Sequence, residues 1–170
     1  MNRVLIFLYV FIIIERIGEL YIARSNRKWM LDRGAVETGD KHYLLFILLH
    51  VLFFLSIAAE FIIISPGISS FFLPAFLLFL ILQVLRVWCM ASLGRRWNTR
   101  IIVLPEEAPL ARGIYKYMDH PNYVIVFLEL LVIPVMFQAY VTAVIFPLLH
   151  LLLVVYIRIP QEDTALNRRH

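Results

Sequence analysis

Of 170 residues, 62% are hydrophobic and only 16% are charged, whereas a soluble domain carries roughly 45–50% apolar and about 25% charged residues. A globule this small needs polar side chains to cover its surface, so the composition argues against a water-soluble fold and makes the bilayer the expected solvent. The net charge of +4 is too small for a nucleic-acid patch, and the one cysteine, Cys89, leaves neither an intramolecular disulfide nor a cysteine-based zinc site to build.

Val4 to Ile14 has the apolar length of a signal-peptide core. Only Arg3 precedes it, however, and Glu15, Arg16 and Glu19 follow where small residues mark a cleavage site, so the segment is expected to be retained. It opens the first of five stretches that approach the ~20 helical residues needed to cross a hydrocarbon layer. They run over Val4 to Ala23, Tyr43 to Ile64, Phe71 to Leu93, Tyr123 to Phe137 and Tyr140 to Ile157. Each is continuously apolar, without the alternation a membrane barrel strand requires, so helices are expected. Gln138 and Ala139 alone part the last two, which contain Pro134 and Pro147. A tight helical hairpin is the favoured reading, and one kinked, re-entrant segment is the alternative. No Gly/Ser linker, low-complexity tract or fixed-period repeat divides the chain, so a single integral membrane domain over 1–170 is expected.

Thirteen of the sixteen Lys and Arg fall between spans one and two, between spans three and four, or after span five, the last group being Arg158, Arg168 and Arg169. The connections Ser65 to Ser70 and Gln138 to Ala139 are uncharged. The positive-inside rule then puts the N-terminus outside and the C-terminus in the cytoplasm, with every charged loop on one face.

Several polar groups sit at membrane depth: Glu15, Arg16 and Glu19, then Glu60, Gln83 with Arg86, Glu129, and His150. Such groups cost several kcal/mol unless they are paired or hydrated. Glu15 and Glu19 share a helix face and Arg16 reaches Glu19 at i+3, so an ion-pair network that orients the bundle is one reading. Glu60 is placed near the outer interface. His50 and His150 are read as hydrogen-bonded packing residues, since neither has a partner at a metal-like spacing.

His120, Pro121, Asn122 and Tyr123 precede the fourth span, and proline in a first helical turn forfeits only an amide that lacks a partner anyway. A hairpin of the last two spans returns Arg158, Glu162 and Asp163 to that same end. Arg158, Glu162 and Leu166 follow at i, i+4 steps, which puts guanidinium, carboxylate and an apolar anchor on one helical stripe. From chemistry alone, an interfacial anchor of snorkelling Arg and belt Tyr explains this cluster as well as a site does.

The order Gly113, Tyr115, His120, Pro121, Tyr123, Glu129, then Arg158, Glu162, Asp163 and Leu166 resembles the isoprenylcysteine carboxyl methyltransferase family over about Leu93 to Leu166. The run Gly94 to Val103, and the block Glu15 to Glu37 with His42 and Tyr43, are most similar to small bacterial members that O-methylate alkylpyrones or alkylresorcinols. Asp119 stands where the family usually has Arg, Val124 and Ile125 where many members have Gly, and Asp163 where a second Glu is usual.

The resemblance implies an all-α membrane protein of five transmembrane helices, with a C-terminal helical hairpin and a cytosolic cofactor pocket. Residues 1–93 hold three spans, and 94–170 hold the catalytic loop, the hairpin and the C-terminal segment. It implies an S-adenosylmethionine-dependent O-methyltransferase with a lipophilic acceptor, in a bacterial cytoplasmic membrane. Tyr115, His120, Pro121, Tyr123, Glu162 and Asp163 are the expected cofactor-binding residues, and Arg158, Glu162 and Glu129 the expected catalytic ones, with no metal. Arg or Lys suits the cofactor's carboxylate, an acid its ammonium or ribose, and an aromatic face its sulfonium. His120 and Glu129 are the candidate bases for a phenolic acceptor. No G-x-G-x-x-G run is present, so a Rossmann-type methyltransferase is excluded. The alternatives are an NADPH-dependent membrane reductase, disfavoured by Asp119, Glu106 and Glu107, and a non-catalytic scaffold. Arg95, Arg96 and Arg100 with Trp97 are expected to touch anionic lipid headgroups rather than nucleic acid.

Overall fold

The computed structural model describes residues 3–38, 40–65, 67–105 and 112–167. Glu106, Glu107, Arg168 and Arg169, which entered the charge argument, lie outside them. All five expected segments are helical: α1 (Arg3–Leu31), α2 (Asp40–Ile64), α3 (Phe72–Leu93), α4 (Pro121–Met136) and α5 (Tyr140–Leu153). A π-helical turn, Val154–Arg158, carries α5 directly into α6 (Ile159–Asn167).

His42–Ile64, Phe72–Arg96 and Tyr140–Leu166 are long and apolar enough to cross a membrane, and Pro121–Met136 is apolar but shorter. Helix α1 is longer than expected, and it carries Glu15, Arg16 and Glu19 midway. The chain is thus an all-helical integral membrane protein. Large apolar side chains such as Phe7, Ile63 and Val84 point outward, at 75%, 81% and 70% exposure. Water would oppose so large an apolar surface, whereas lipid tails solvate it. The inward faces interlock Leu5 and Ile12 of α1, Phe53 and Ile57 of α2, Phe79 of α3, and Leu130 and Met136 of α4.

The last two long helices form the tight hairpin. Gln138 adopts the left-handed conformation at φ +58°, and the Ala139 amide donates to the Pro134 carbonyl at 2.9 Å. Glu60 of α2 secures the turn, since its carboxylate accepts from the Thr142 amide at 2.8 Å and the Val141 amide at 3.1 Å. These amides open α5 and lack intrahelical acceptors, and a carboxylate there also complements the helix dipole.

One feature was not expected in an all-α chain. Val36–Thr38 (β1) and Ile101–Val103 (β2) pair antiparallel, with Val36 opposite Val103 and Thr38 opposite Ile101. Three-residue strands are too short to show a period of two. Leu166 and Ala165 of α6 pack on Ile101 and Val103, so the small sheet and the C-terminal helix close one end of the bundle together.

Candidate active site

The buried charges of α1, α3 and α4 neutralise one another. Arg86 donates through Nε and Nη2 to the Glu19 carboxylate and through Nη1 to Glu129 Oε2 at 2.9 Å. Arg16 bridges Glu19 at 3.1 Å and Glu129 Oε1 at 2.9 Å, and Gln83 Nε2 adds a bond to the same oxygen at 3.0 Å. Two guanidiniums between two carboxylates satisfy charges that would each be costly alone. The Arg16–Glu19 pair is the one expected from spacing; Glu15 stands off at 3.7 Å from Arg16, and Glu129 joins from α4.

At the end of the bundle that holds the charged loops, α4 meets the α5–α6 continuation. Tyr123, in the first turn of α4, donates its hydroxyl hydrogen to Glu162 Oε2 at 2.6 Å. Its oxygen accepts from Arg158 Nε at 3.0 Å, and Arg158 Nη2 donates to the Thr99 carbonyl at 3.1 Å. His120 immediately precedes α4, stacks on Tyr123 with centroids 5.3 Å apart, and brings Nδ1 to 3.6 Å from Glu162 Oε2. The π-turn ends at Arg158, and Arg158 and Glu162, one helical turn apart, both reach one phenol.

Gly113 opens the short 3₁₀ turn Gly113–Lys116 at φ +58°, where a Cβ would overlap the Ser92 side chain. That close approach sets Tyr115 against α3 beside Cys89, and burial pushes the Tyr115 phenol well above its ordinary ionisation range. Asn26 of α1 donates to the Trp97 carbonyl at 2.8 Å, and Asn98 donates back to the Ala23 carbonyl at 3.1 Å. Arg100 and Arg27 both pair with Glu37. The connections after α1 and α3 are therefore laced together over the same end.

These elements enclose a cavity of about 320 Å³, within the ~300–1,000 Å³ typical of small-molecule sites. Tyr115, His120, Tyr123, Arg158 and Glu162 line it, as do Arg96, Trp97 and Asn122. Among the described residues, Trp97 Nε1 and Asn122 Oδ1 are buried without a hydrogen-bond partner. Buried polar atoms normally have one, so a donor and an acceptor are left on this wall for a bound molecule. Guanidinium, carboxylate and aromatic rings converge on the space, the inventory that a zwitterionic, cationic cofactor requires.

Five of the eight residues singled out from the sequence thus face one cavity. Pro121 is buried at the first position of α4, Asp163 is exposed beside the mouth, and Glu129 lies in the ion-pair network; none of the three lines the cavity. Asp119 lines it where a cation is usual, while Arg112 and Lys116 are exposed and do not; Arg158, Arg96 and Arg100 line it at that end. Sequence reasoning missed Tyr43, Trp97, Asn122, His50 and His150 as lining residues. Tyr43, Trp97 and Asn122 stand at the ends of apolar runs and His50 and His150 inside them, and polarity at such places does not separate a cavity wall from an interfacial belt or a packing residue.

A family model described as the isoprenylcysteine carboxyl methyltransferase family matches residues 74–168. The chain is 41% identical over 160 residues to YpbQ of Bacillus subtilis (strain 168), described as an uncharacterized protein, covering 94% of this chain and 95% of that one. It is 29% identical over 155 residues to an uncharacterized protein of Haemophilus influenzae, covering 89% and 88%. No solved structure matches.

Proposed function

The chain belongs to the isoprenylcysteine carboxyl methyltransferase family, a family of membrane methyltransferases, and from that premise we propose that it carries a methyl group from S-adenosylmethionine to an oxygen of a lipophilic acceptor. The acceptor is an alkylpyrone- or alkylresorcinol-type polyketide, or a prenylcysteine-type carboxylate. The observation that supports this reading most is the meeting of His120, Tyr123, Arg158 and Glu162 at the mouth of one cavity.

When bound, S-adenosylmethionine supplies an electrophilic methyl group on sulfonium. In this reading Arg158 and Glu162 bind the oppositely charged ends of its amino-acid portion, and the rings of Tyr115, Tyr123 and His120 provide π-faces for the cationic sulfur. Pro121 starts α4 where His120 and Tyr123 are needed, and Asp163 adds negative charge at the rim for the ammonium or ribose. Glu129 serves by holding Arg86 and Arg16 in place. Methyl transfer to oxygen chiefly requires two reactants held close and desolvated, which is worth roughly 7–11 kcal/mol, and a cavity walled by membrane helices supplies both conditions.

The acceptor's tail enters sideways from the bilayer, and the donor arrives from water at the charged end. By the positive-inside rule that end is cytoplasmic, in a bacterial cytoplasmic membrane with the N-terminus outside. Of the residues expected at anionic headgroups, Arg95 keeps that role beside the Trp29–Arg33 stack, whereas Trp97 is buried and lines the cavity with Arg96 and Arg100; nucleic acid is not a proposed partner. The test is to supply methyl-labelled S-adenosylmethionine to membranes with and without this protein and to identify the labelled lipid. Absence of any protein-dependent labelled lipid, in membranes from cells that make such polyketides and prenylated peptides, would overturn the reading.

A further inference from the structure

The geometry points to His50 as the group that takes the proton from a hydroxyl acceptor, an inference that rests on the methyl-transfer reading above. His50 lines the same cavity as Tyr123 and Arg158. It lies seven residues along α2 from Tyr43, which also lines it, so the cavity runs about 10 Å inward at 1.5 Å per residue. Phe46, Ile47, Phe54 and Val126 wall this inner part, which suits an alkyl-bearing ring rather than the polar donor.

The state of His50 is set by its own helix. Nδ1 stands 2.8 Å from the Phe46 carbonyl, and a carbonyl can only accept, so Nδ1 carries the hydrogen. In a neutral imidazole the lone pair is then on Nε2, which has no hydrogen-bond partner among the described residues. An imidazole held in one tautomer by a backbone carbonyl, on the wall of a ligand space, has the arrangement that a general base requires. His150 of α5 lines the same space, and its Nδ1 is buried with no hydrogen-bond partner among the described residues. The charges that face this region are Arg16 and Glu19 from α1, Arg86 from α3 and Glu129 from α4, and all four are committed to one another. The histidines are therefore the uncommitted basic groups among the described residues of the inner wall.

The step balances without a further reactant. The acceptor's O–H proton passes to His50 Nε2 as the oxygen's electron pair forms the new O–CH3 bond. The S–CH3 bond of the donor breaks with its pair retained on sulfur, and the imidazolium later returns the proton to water. A phenol or enol, neutral at working pH, needs this base; a carboxylate does not.

The experiment uses the full chain in nanodiscs, with His50→Gln and His50→Asn. The amide of His50→Asn can still donate to the Phe46 carbonyl and lacks only the basic nitrogen. An alkyl nitrophenol, whose absorbance distinguishes phenol from phenolate, is titrated without any methyl donor. Bound to the wild type it ionises at lower pH than in empty nanodiscs, and both variants abolish that shift. Methylation of an unsubstituted alkylphenol falls about 10²-fold or more in both, while S-adenosylhomocysteine affinity stays within threefold, which also reports that they fold. An unshifted phenol in the wild type, or alkylphenol turnover within threefold of wild type in either variant, overturns the assignment. Failure of the wild type to bind S-adenosylhomocysteine, with the phenol shift intact, overturns the donor reading and leaves His50 as the proton acceptor of a hydroxyl ligand.

Discussion

Tyr123 and Glu162 lie thirty-nine positions apart, on opposite arms of the C-terminal hairpin, and share a 2.6 Å hydrogen bond at the mouth of the cavity. The same phenol oxygen accepts from Arg158, so one side chain clamps the start of α4 to the junction of α5 and α6. Removing the hydroxyl in Tyr123→Phe leaves Glu162 and Arg158 without their shared partner. S-Adenosylhomocysteine affinity is expected to fall about tenfold, since bonds to charged groups contribute roughly 1.5–3 kcal/mol. His120→Ala and Glu162→Ala are expected to abolish methylation while the protein remains membrane-inserted. Near wild-type turnover in both variants refutes the site.

Glu129 and Arg86 answer to stability before activity. Truncating one partner of a buried ion pair leaves the other uncompensated, at a cost of about 3–5 kcal/mol. Arg86→Ala and Glu129→Ala should each lower the thermal midpoint in detergent by several degrees. The double variant should lose less than the sum of the two, because the stranded charge is removed as well. Strict additivity would show that the pair is not coupled.

Gly113 is required by its surroundings. At φ +58°, with Ser92 against the position where a Cβ would stand, Gly113→Ala incurs both backbone strain and a clash, together about 2 kcal/mol or more. Adding Ser92→Gly relieves the clash and leaves the strain, so it should recover part of the loss. Thermal unfolding of the two variants measures the division.

Tyr115 supplies a pH dependence. Burial beside Cys89 raises the folded-state ionisation of its phenol above the ordinary value of about 10. The folded state then holds the proton that the unfolded chain gives up, so the associated stability is fully present below pH ~10 and is lost as pH rises further. Tyr115→Phe should flatten the alkaline limb of the stability profile and leave the profile between pH 6 and 9 unchanged in shape.

The local sequence already determined the helices and their membrane setting. Continuous apolar runs of near-bilayer length admit little else, and Pro121, Gln138 and the i, i+4 step from Arg158 to Glu162 mark starts, turns and stripes through backbone rules that act within a few residues. The pairing of Arg16 with Glu19 was legible for the same reason. Which carboxylate Arg86 meets, where β1 finds β2, and that His50 shares a cavity with Tyr123 were decided only by packing. Each depends on the rotation and depth of one helix against another, quantities set by the summed fit of many side chains and carried by no single stretch of chain.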